Sequence, residues 1–306
     1  MRRLSMKKGK KIWLVVVVIV AVILVGALLF TFHKYPYYLK HKEVISVQGS
    51  ENAGLKVMSF NIRLFTPTDT GDRNWFYRAN LVVDCIEKQA PGVIGFQEVT
   101  PIQYDYLCET LSGYDSIMTY RDKSPNSEGC PVFYQEELYT LVDKGSFWLS
   151  ETPEKMSKDW GAACYRICSY VILKEKKTGK EFVVFNTHLD HVSDEARING
   201  IRVVLDKIAE FGGLPAVLMG DLNAKESSKT YKSATEAFLD TKYQTENTMT
   251  SCTFQAWGTE LDRDCIDYIL VSKTGFSVKA YYVVTETYDG VYVSDHFPVV
   301  TELELE

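Results

Sequence analysis

Five short apolar runs in this chain are bordered by side chains that can hold a cation, move a proton or contact an anion. The run 57–60 leads into Asn61, and 93–96 leads into Gln97 and Glu98. The run 182–185 leads into Asn186, Thr187, His188, Leu189, Asp190 and His191, and 217–219 into Gly220, Asp221, Leu222 and Asn223. Ser294, Asp295 and His296 stand immediately before the fifth, Phe-Pro-Val-Val at 297–300. Buried strands that end this way deliver polar groups to one edge, where loops gather them. Singly, each piece has a plainer meaning, since an Asp-x-Asn after a strand is more often a turn or a cap. Five together in one domain point to a site.

The set suits phosphoester hydrolysis. Glu98, with Asn61 and Asp295, offers the hard oxygen ligands that Mg²⁺ takes, with Mn²⁺ as a substitute. His296, oriented by Asp267, is the candidate to activate water. Asp221 and Asn223 are placed to position that water and hydrogen-bond phosphoryl oxygens, and His188 to donate to a non-bridging oxygen as charge builds. Two other readings compete. Asn186-x-His188-x-Asp190-His191 looks like the H-x-H-x-D-H of metallo-β-lactamase-type zinc hydrolases, but its first position is Asn and only His296 remains downstream. A non-catalytic binding module would keep the same strands without turnover.

The elements that must carry these groups are legible from periodicity. Strands are expected at 56–60, 92–96, 131–134, 138–148, 167–174, 181–185, 216–219, 266–271, 277–284 and 299–305. Helices are expected at 75–88, 102–111, 194–211 and 228–238. In the third of these Ile198, Ile201, Val204, Leu205 and Ile208 form one apolar stripe, closed by Gly212 and Gly213. No repeat or low-complexity linker interrupts 55–306, which reads as one α/β domain.

Ahead of it, 12–32 is 21 residues without a charge, long enough to cross a hydrocarbon core of about 30 Å as a helix. A cleaved signal peptide has a shorter apolar core and a small-residue exit site, so 12–32 is read as a retained transmembrane helix after a basic tail, 1–11. Six Lys/Arg precede the span and three follow it, which places the N-terminus in the cytoplasm and the domain outside it. Residues 33–54, polar and without a clear period, read as a stalk. Seven cysteines without a CxxC pair read as scattered buried thiols, and their odd number sits poorly with an oxidising compartment.

The net charge of −6 hides a split, because residues 1–54 hold nine of the 34 basic and two of the 40 acidic residues. Residues 55–306 therefore carry 25 basic and 38 acidic residues, or about −13. A surface that negative disfavours tight nonspecific binding of nucleic acid.

The ordered segments MSFNIR (58–63), GFQE (95–98), NTHLDH (186–191), GDLN (220–223), IDYILVS (266–272) and SDHFPV (294–299) resemble the endonuclease/exonuclease/phosphatase superfamily across about 55–304. NWFYR (74–78), FWLSETPEK (147–155) and the Arg166-Ile167-Cys168 turn look most like a bacterial, membrane-anchored group within it. The resemblance implies a four-layer sandwich of two mixed β-sheets flanked by helices, and the site roles given above, with Asp267 holding the His296 imidazole. It also implies substrate contacts from Arg166 and His191. Cys265, the Cys164-Tyr165 pair and Gln135 depart from residues common in the group. The substrate stays open between nucleic acid, a lipid headgroup and a small phosphoester. An extracytoplasmic endonuclease is the alternative, and no obligate protein partner is evident.

Overall fold

The structure is a computed structural model that describes residues 2–47 and 55–306. It opens with helices α1 (Arg2–Phe32) and α2 (Tyr35–Lys40), then strands β1 (Ile45–Ser46) and β2 (Leu55–Asn61). Next come α3 (Trp75–Gln89), β3 (Val93–Gln97), α4 (Pro101–Thr110), β4 (Leu111–Ser112), β5 (Tyr114–Ile117) and β6 (Val132–Gln135). β7 (Tyr139–Trp148), β8 (Ile167–Glu175), β9 (Glu181–His188), α5 (Asp194–Ala209), β10 (Ala216–Asp221) and α6 (Lys229–Ala237) follow. The chain ends through β11 (Phe238–Asp240), β12 (Thr248–Met249), β13 (Asp267–Ser272), β14 (Phe276–Val283) and β15 (Val299–Leu305).

One sheet runs β12-β14-β15-β2-β3-β6-β5 and the other β11-β13-β10-β9-β8-β7, both of mixed direction. Their central strands are apolar on both faces, as strands covered on both sides must be. In β2, Leu55 and Val57 face the second sheet while Met58 and Phe60 face α3 and α4; in β10, Val217 and Met219 face the first sheet while Ala216 and Leu218 face α5 and α6. The result is the four-layer sandwich, helix–sheet–sheet–helix. Every strand and helix expected in 55–306 is present; the short β1, β4, β5, β11, β12 and α2 were not foreseen.

Caps fix where the helices begin. Asn74 accepts from Phe76 N at α3, and Thr100 with Gln103 forms a capping box at α4 beside Pro101. Two glycines allow close approach, Gly95 between the sheets and Gly220 between neighbouring strands of one sheet. A Cβ on Gly95 would lie 2.5 Å from Met219 Cε of the opposite sheet, and one on Gly220 (φ +141°) would lie 1.9 Å from Thr187 O.

Residues 33–47 pack against the domain. Phe32, at the end of α1, packs on Phe65 and Phe76 with ring centroids 6.4 and 5.9 Å apart. Tyr38 packs on Phe76 and Tyr106 at 5.1 and 4.8 Å. Lys34 reaches the Tyr77 hydroxyl, Lys42 pairs with Glu109, and β1 pairs in parallel with β4. Tyr38, Ile45 and Val47 are buried in the same core as Phe76 and Leu107. The segment lacks a period because a few aromatic contacts to distant residues hold it; residues 48–54 of the expected stalk lie outside the described residues. Each such buried side chain is worth about 1.5–3 kcal/mol. A chain starting at residue 55 is therefore expected to melt on the order of 10 °C below the full chain; equal midpoints in calorimetry would refute the docking.

Gly9–Lys40 is long and apolar enough to cross a membrane by length and composition, a test that a signal sequence also passes. The apolar side chains from Ile12 to Leu29 are exposed to the surroundings rather than packed on the domain.

Candidate active site

Strand register sets the floor of the site. Asp221, ending β10, is paired with His188 of β9 on one side and Asp267 of β13 on the other. Asn61, ending β2, is paired with Gln97 of β3, and Glu98 follows. Ser294 Oγ donates to Asn61 O at 2.7 Å, which holds the 294–296 segment against the end of β2.

Asn61 is fully buried and ties the two sheets together. Its Nδ2 donates to Glu98 Oε1 at 3.2 Å and to Asp221 Oδ2 at 3.1 Å, while its Oδ1 accepts from Arg63 N at 3.0 Å. Leu64 N donates to the other Glu98 oxygen at 2.9 Å. Burial opposes ionisation of Glu98, but the Leu64 N–H, His296 and Arg63 hold its carboxyl below the usual range. Asp295 is raised instead, by burial and by the nearby Glu98 charge, with Arg63 Nε 3.9 Å away.

The second group centres on His296. Its Nδ1 lies 2.9 Å from Asp267 Oδ2 and its Nε2 lies 3.8 Å from Asp221 Oδ2. Burial alone would depress this imidazole; Asp267, joined by Asp221 and Asp295, outweighs it and holds the ring charged up to about 10. Asp221 is pushed up to about 7 by burial and by the Asp267 charge. The ligand atoms of Asp221, Asp267 and His296 lie within 4.8 Å of one another. Both ring nitrogens of His296 thus face carboxylates.

His188 is the opposite case. Burial, then the charges of Arg166 and Arg121, push it well below its ordinary value. Its Nε2 lies 2.9 Å from Asn223 Nδ2, which donates to it. Asn223 also donates to Leu189 O at 3.1 Å, and its N–H donates to Asp221 Oδ1 at 2.8 Å. Glu98 and Asn223 both hold left-handed backbone, at φ +63° and +46°.

These groups line a cleft of about 420 Å³ with Arg63, Arg121, Glu128, Phe254 and Arg263. Asn61 and Asp267 stand just behind that lining. Arg166 and His191 are on its wall, where an Arg166 Nη donates to His191 Nδ1 at 3.1 Å. Arg121 grips Glu128 through both Nη atoms, at 2.8 and 2.5 Å, and Glu128 is pushed up to about 7 by burial and by Glu98. Arg121 and Arg166 each bury an Nε without a hydrogen-bond partner among the described residues.

Sequence reasoning missed Arg63, Arg121, Glu128, Phe254 and Arg263. The last four sit in loops without periodicity, and only Arg63, two residues after Asn61, carried a local signal. Asp190, inside the NTHLDH motif, serves structure. Its carboxylate accepts four backbone N–H groups, from Ala163, Cys164, Val192 and Ser193, and so folds the loop under Arg166. Asn186 serves structure too, donating to Phe96 O and Pro131 O at 2.8 and 2.9 Å across the sheets. The H-x-H-x-D-H likeness thus has no ligand at its first position. All seven cysteines are free.

The model of the endonuclease/exonuclease/phosphatase family matches residues 58–296, most of the chain. The chain belongs to that family. Members of that family are metal-dependent phosphoester hydrolases. A family protein from Bacteroides thetaiotaomicron is 34% identical, with TM-score 0.79, covering 83% of this chain and 98% of that one. A mannosyl-6-phosphatase from the same organism is also 34% identical, with TM-score 0.78, covering 81% and 99%. Human nocturnin is 22% identical over 258 residues, 74% of this chain. The chain spans 54% to 66% of the length of the first curated relatives it matches.

The donor set fits the divalent cation this family uses. Glu98, half-buried, and the buried Asp221 and Asp295 are three carboxylates around one cleft, and Asp221 and Asp295 are destabilised as anions. A hard cation relieves that excess of buried negative charge.

Proposed function

We propose that this chain is a membrane-anchored, Mg²⁺-dependent hydrolase of small phosphoesters. The observation that carries this reading is the convergence of Glu98, Asp295, Asp221, Asn223, His188 and the His296/Asp267 pair on one cleft. Glu98 and Asp295 would hold the metal, with Asn61 fixing Glu98 from behind. When bound there, a divalent cation neutralises phosphate charge and stabilises the leaving oxygen.

The protein's own groups do the rest. His188, whose ring Asn223 Nδ2 orients, faces the phosphoryl oxygens, and an arriving anion raises its depressed affinity for a proton, making it a donor. Asp221 accepts a hydrogen bond from the attacking water and orients it. His296, held by Asp267, takes the water's proton once its ring is neutral. Bringing a cation beside Asp295 lowers the imidazole's grip on its proton, which allows that state near neutrality.

Three observations favour a substrate of sugar-phosphate size. The cleft of about 420 Å³ is in the range of small-ligand pockets. Its wall holds Arg121 and Arg166, each with a buried N–H that is unpaired among the described residues. The charge of about −13 on residues 55–306 weighs against a polynucleotide. The sugar phosphatase at 34% identity supports the same class. The exposed apolar side chains of α1 support retention as an anchor, and the basic residues around it support a cytoplasmic N-terminus with the domain outside.

The test uses the full chain in nanodiscs. Mannose 6-phosphate, plasmid DNA, single-stranded RNA, sphingomyelin and a generic diester are assayed with Mg²⁺, Mn²⁺ or EDTA. Release of phosphate from the sugar ester with Mg²⁺, and none with EDTA, is expected; Arg166→Met should raise KM about tenfold or more. Turnover that survives EDTA, or preference for a polynucleotide, would overturn the reading.

A further inference from the structure

Arg78, in the first turn of α3, is fully buried and faces the underside of the site rather than its lining. Its guanidinium is used almost completely. Nε donates to Arg73 O at 3.0 Å, one Nη to both Ile62 O at 2.5 Å and Val293 O at 3.0 Å, and the other Nη to Arg63 O at 2.8 Å. Trp75 and Trp257 lie against it, 5.2 and 5.4 Å from its central carbon. Among the described residues no carboxylate pairs with it directly, and burial lowers it to about 10.

A buried guanidinium bound only to neutral carbonyls is a poor way to fill a core, since an apolar side chain of similar volume avoids the desolvation cost. Its partners suggest why it is there. Ile62 and Arg63 lie between Asn61 and Leu64, whose N–H holds Glu98. Val293 immediately precedes Ser294, Asp295 and His296. One rigid fork thus joins the two loops that set Glu98 and Asp295, and its charge acts through space on both.

We propose that Arg78 is a positioning residue of the hydrolytic site, fixing the 62–64 loop against the 293–296 loop and offsetting part of the charge on Glu98 and Asp295. This rests on the reading of those two carboxylates as the cation's holders. Lysine keeps the charge but cannot span four carbonyls.

Arg78→Lys and Arg78→Ala are made in the full chain in nanodiscs. Mn²⁺ binding is followed by paramagnetic resonance, amide exchange by mass spectrometry, and kcat and KM with mannose 6-phosphate. For Arg78→Lys the Mn²⁺ Kd is expected to rise about tenfold and kcat to fall about 100-fold, with KM within about threefold. Exchange should quicken in 61–66 and 293–297 while β9 and β10 keep native protection. Guanidinium at about 10 mM should restore Mn²⁺ binding and turnover to Arg78→Ala but not to Arg78→Lys. Native-like Mn²⁺ binding and exchange in both variants would overturn the proposal. So would a failure of either to fold, which would make Arg78 a core element. A native chain that binds Mn²⁺ but leaves the ester intact would count against the functional reading alone, because the loop exchange still reports on Arg78.

Discussion

Asp267→Asn is expected to lower kcat on the order of 10⁴-fold while leaving the sandwich folded. The carboxylate is buried at the start of β13, 2.9 Å from His296 Nδ1, and fixes the direction of the ring whose other nitrogen faces the cleft. Asparagine matches its size, so packing survives. What disappears is the charge that keeps Nδ1 protonated and Nε2 free to take a proton. The variant also carries a pH signature. His296 has an ordinary value of 6.5 and is held at about 10 in the fold. A group raised by folding adds stability that is whole below its unfolded value and lost as pH rises through its folded one. The metal-free native chain should therefore lose thermal stability between about pH 6.5 and 10, and Asp267→Asn should lose much less over that window. Residual activity of the variant should have its rising limb at lower pH than the native enzyme, because the main cause of the raised value is gone. Equal melting curves against pH, or an unmoved limb, would refute the pairing.

Glu98→Ala should abolish turnover, by about 10³-fold or more, and with it the response to metal. A cation that binds only the folded chain stabilises it by about 2.7 kcal/mol at a hundred times its Kd. For a domain of this size that is a rise on the order of 5–10 °C in melting midpoint on adding Mg²⁺. The native chain should show the rise, EDTA should reverse it, and Glu98→Ala should not show it. Glu98→Gly separates side chain from backbone. It loses the metal response equally, yet without metal it should be more stable than Glu98→Ala by about 1 kcal/mol, since glycine accepts φ +63° without strain. A full Mg²⁺ shift in either variant would remove Glu98 from the metal's surroundings.

Much of this was legible in the sequence for a physical reason. Strands covered on both faces are apolar runs, and such runs stop abruptly where they meet the cleft, so Asn61, Glu98, His188 and Asp221 mark their own positions. Asp295 and His296 were exposed by the run that follows them. Register was not legible. Nothing in the spacing says that Asp221 pairs with both His188 and Asp267; that follows from the order β13-β10-β9 and from Gly220 clearing Thr187 O. Arg121, Glu128 and Arg263 come from loops whose course depends on tertiary contacts alone. Arg78 sat inside a quoted segment, but that its partners would be carbonyls 16 and 215 residues away could not be seen. The packing of 33–47 was not legible, because a short aromatic helix docked on another has no period to detect.

The left-handed backbone at Glu98 and Asn223 bears on the history of the chain. L-residues there are disfavoured by about 1–2 kcal/mol, less for Asn, and glycine avoids the penalty. In a lineage that kept this sandwich only as a binding module, mutation would find glycine at both sites and selection for a stable fold would retain it. Under the proposed function, Glu and Asn at these two positions are what continued use of their side chains would leave behind. The same two sites offer a test for related sequences: glycine at both would mark a descendant that has stopped hydrolysing anything.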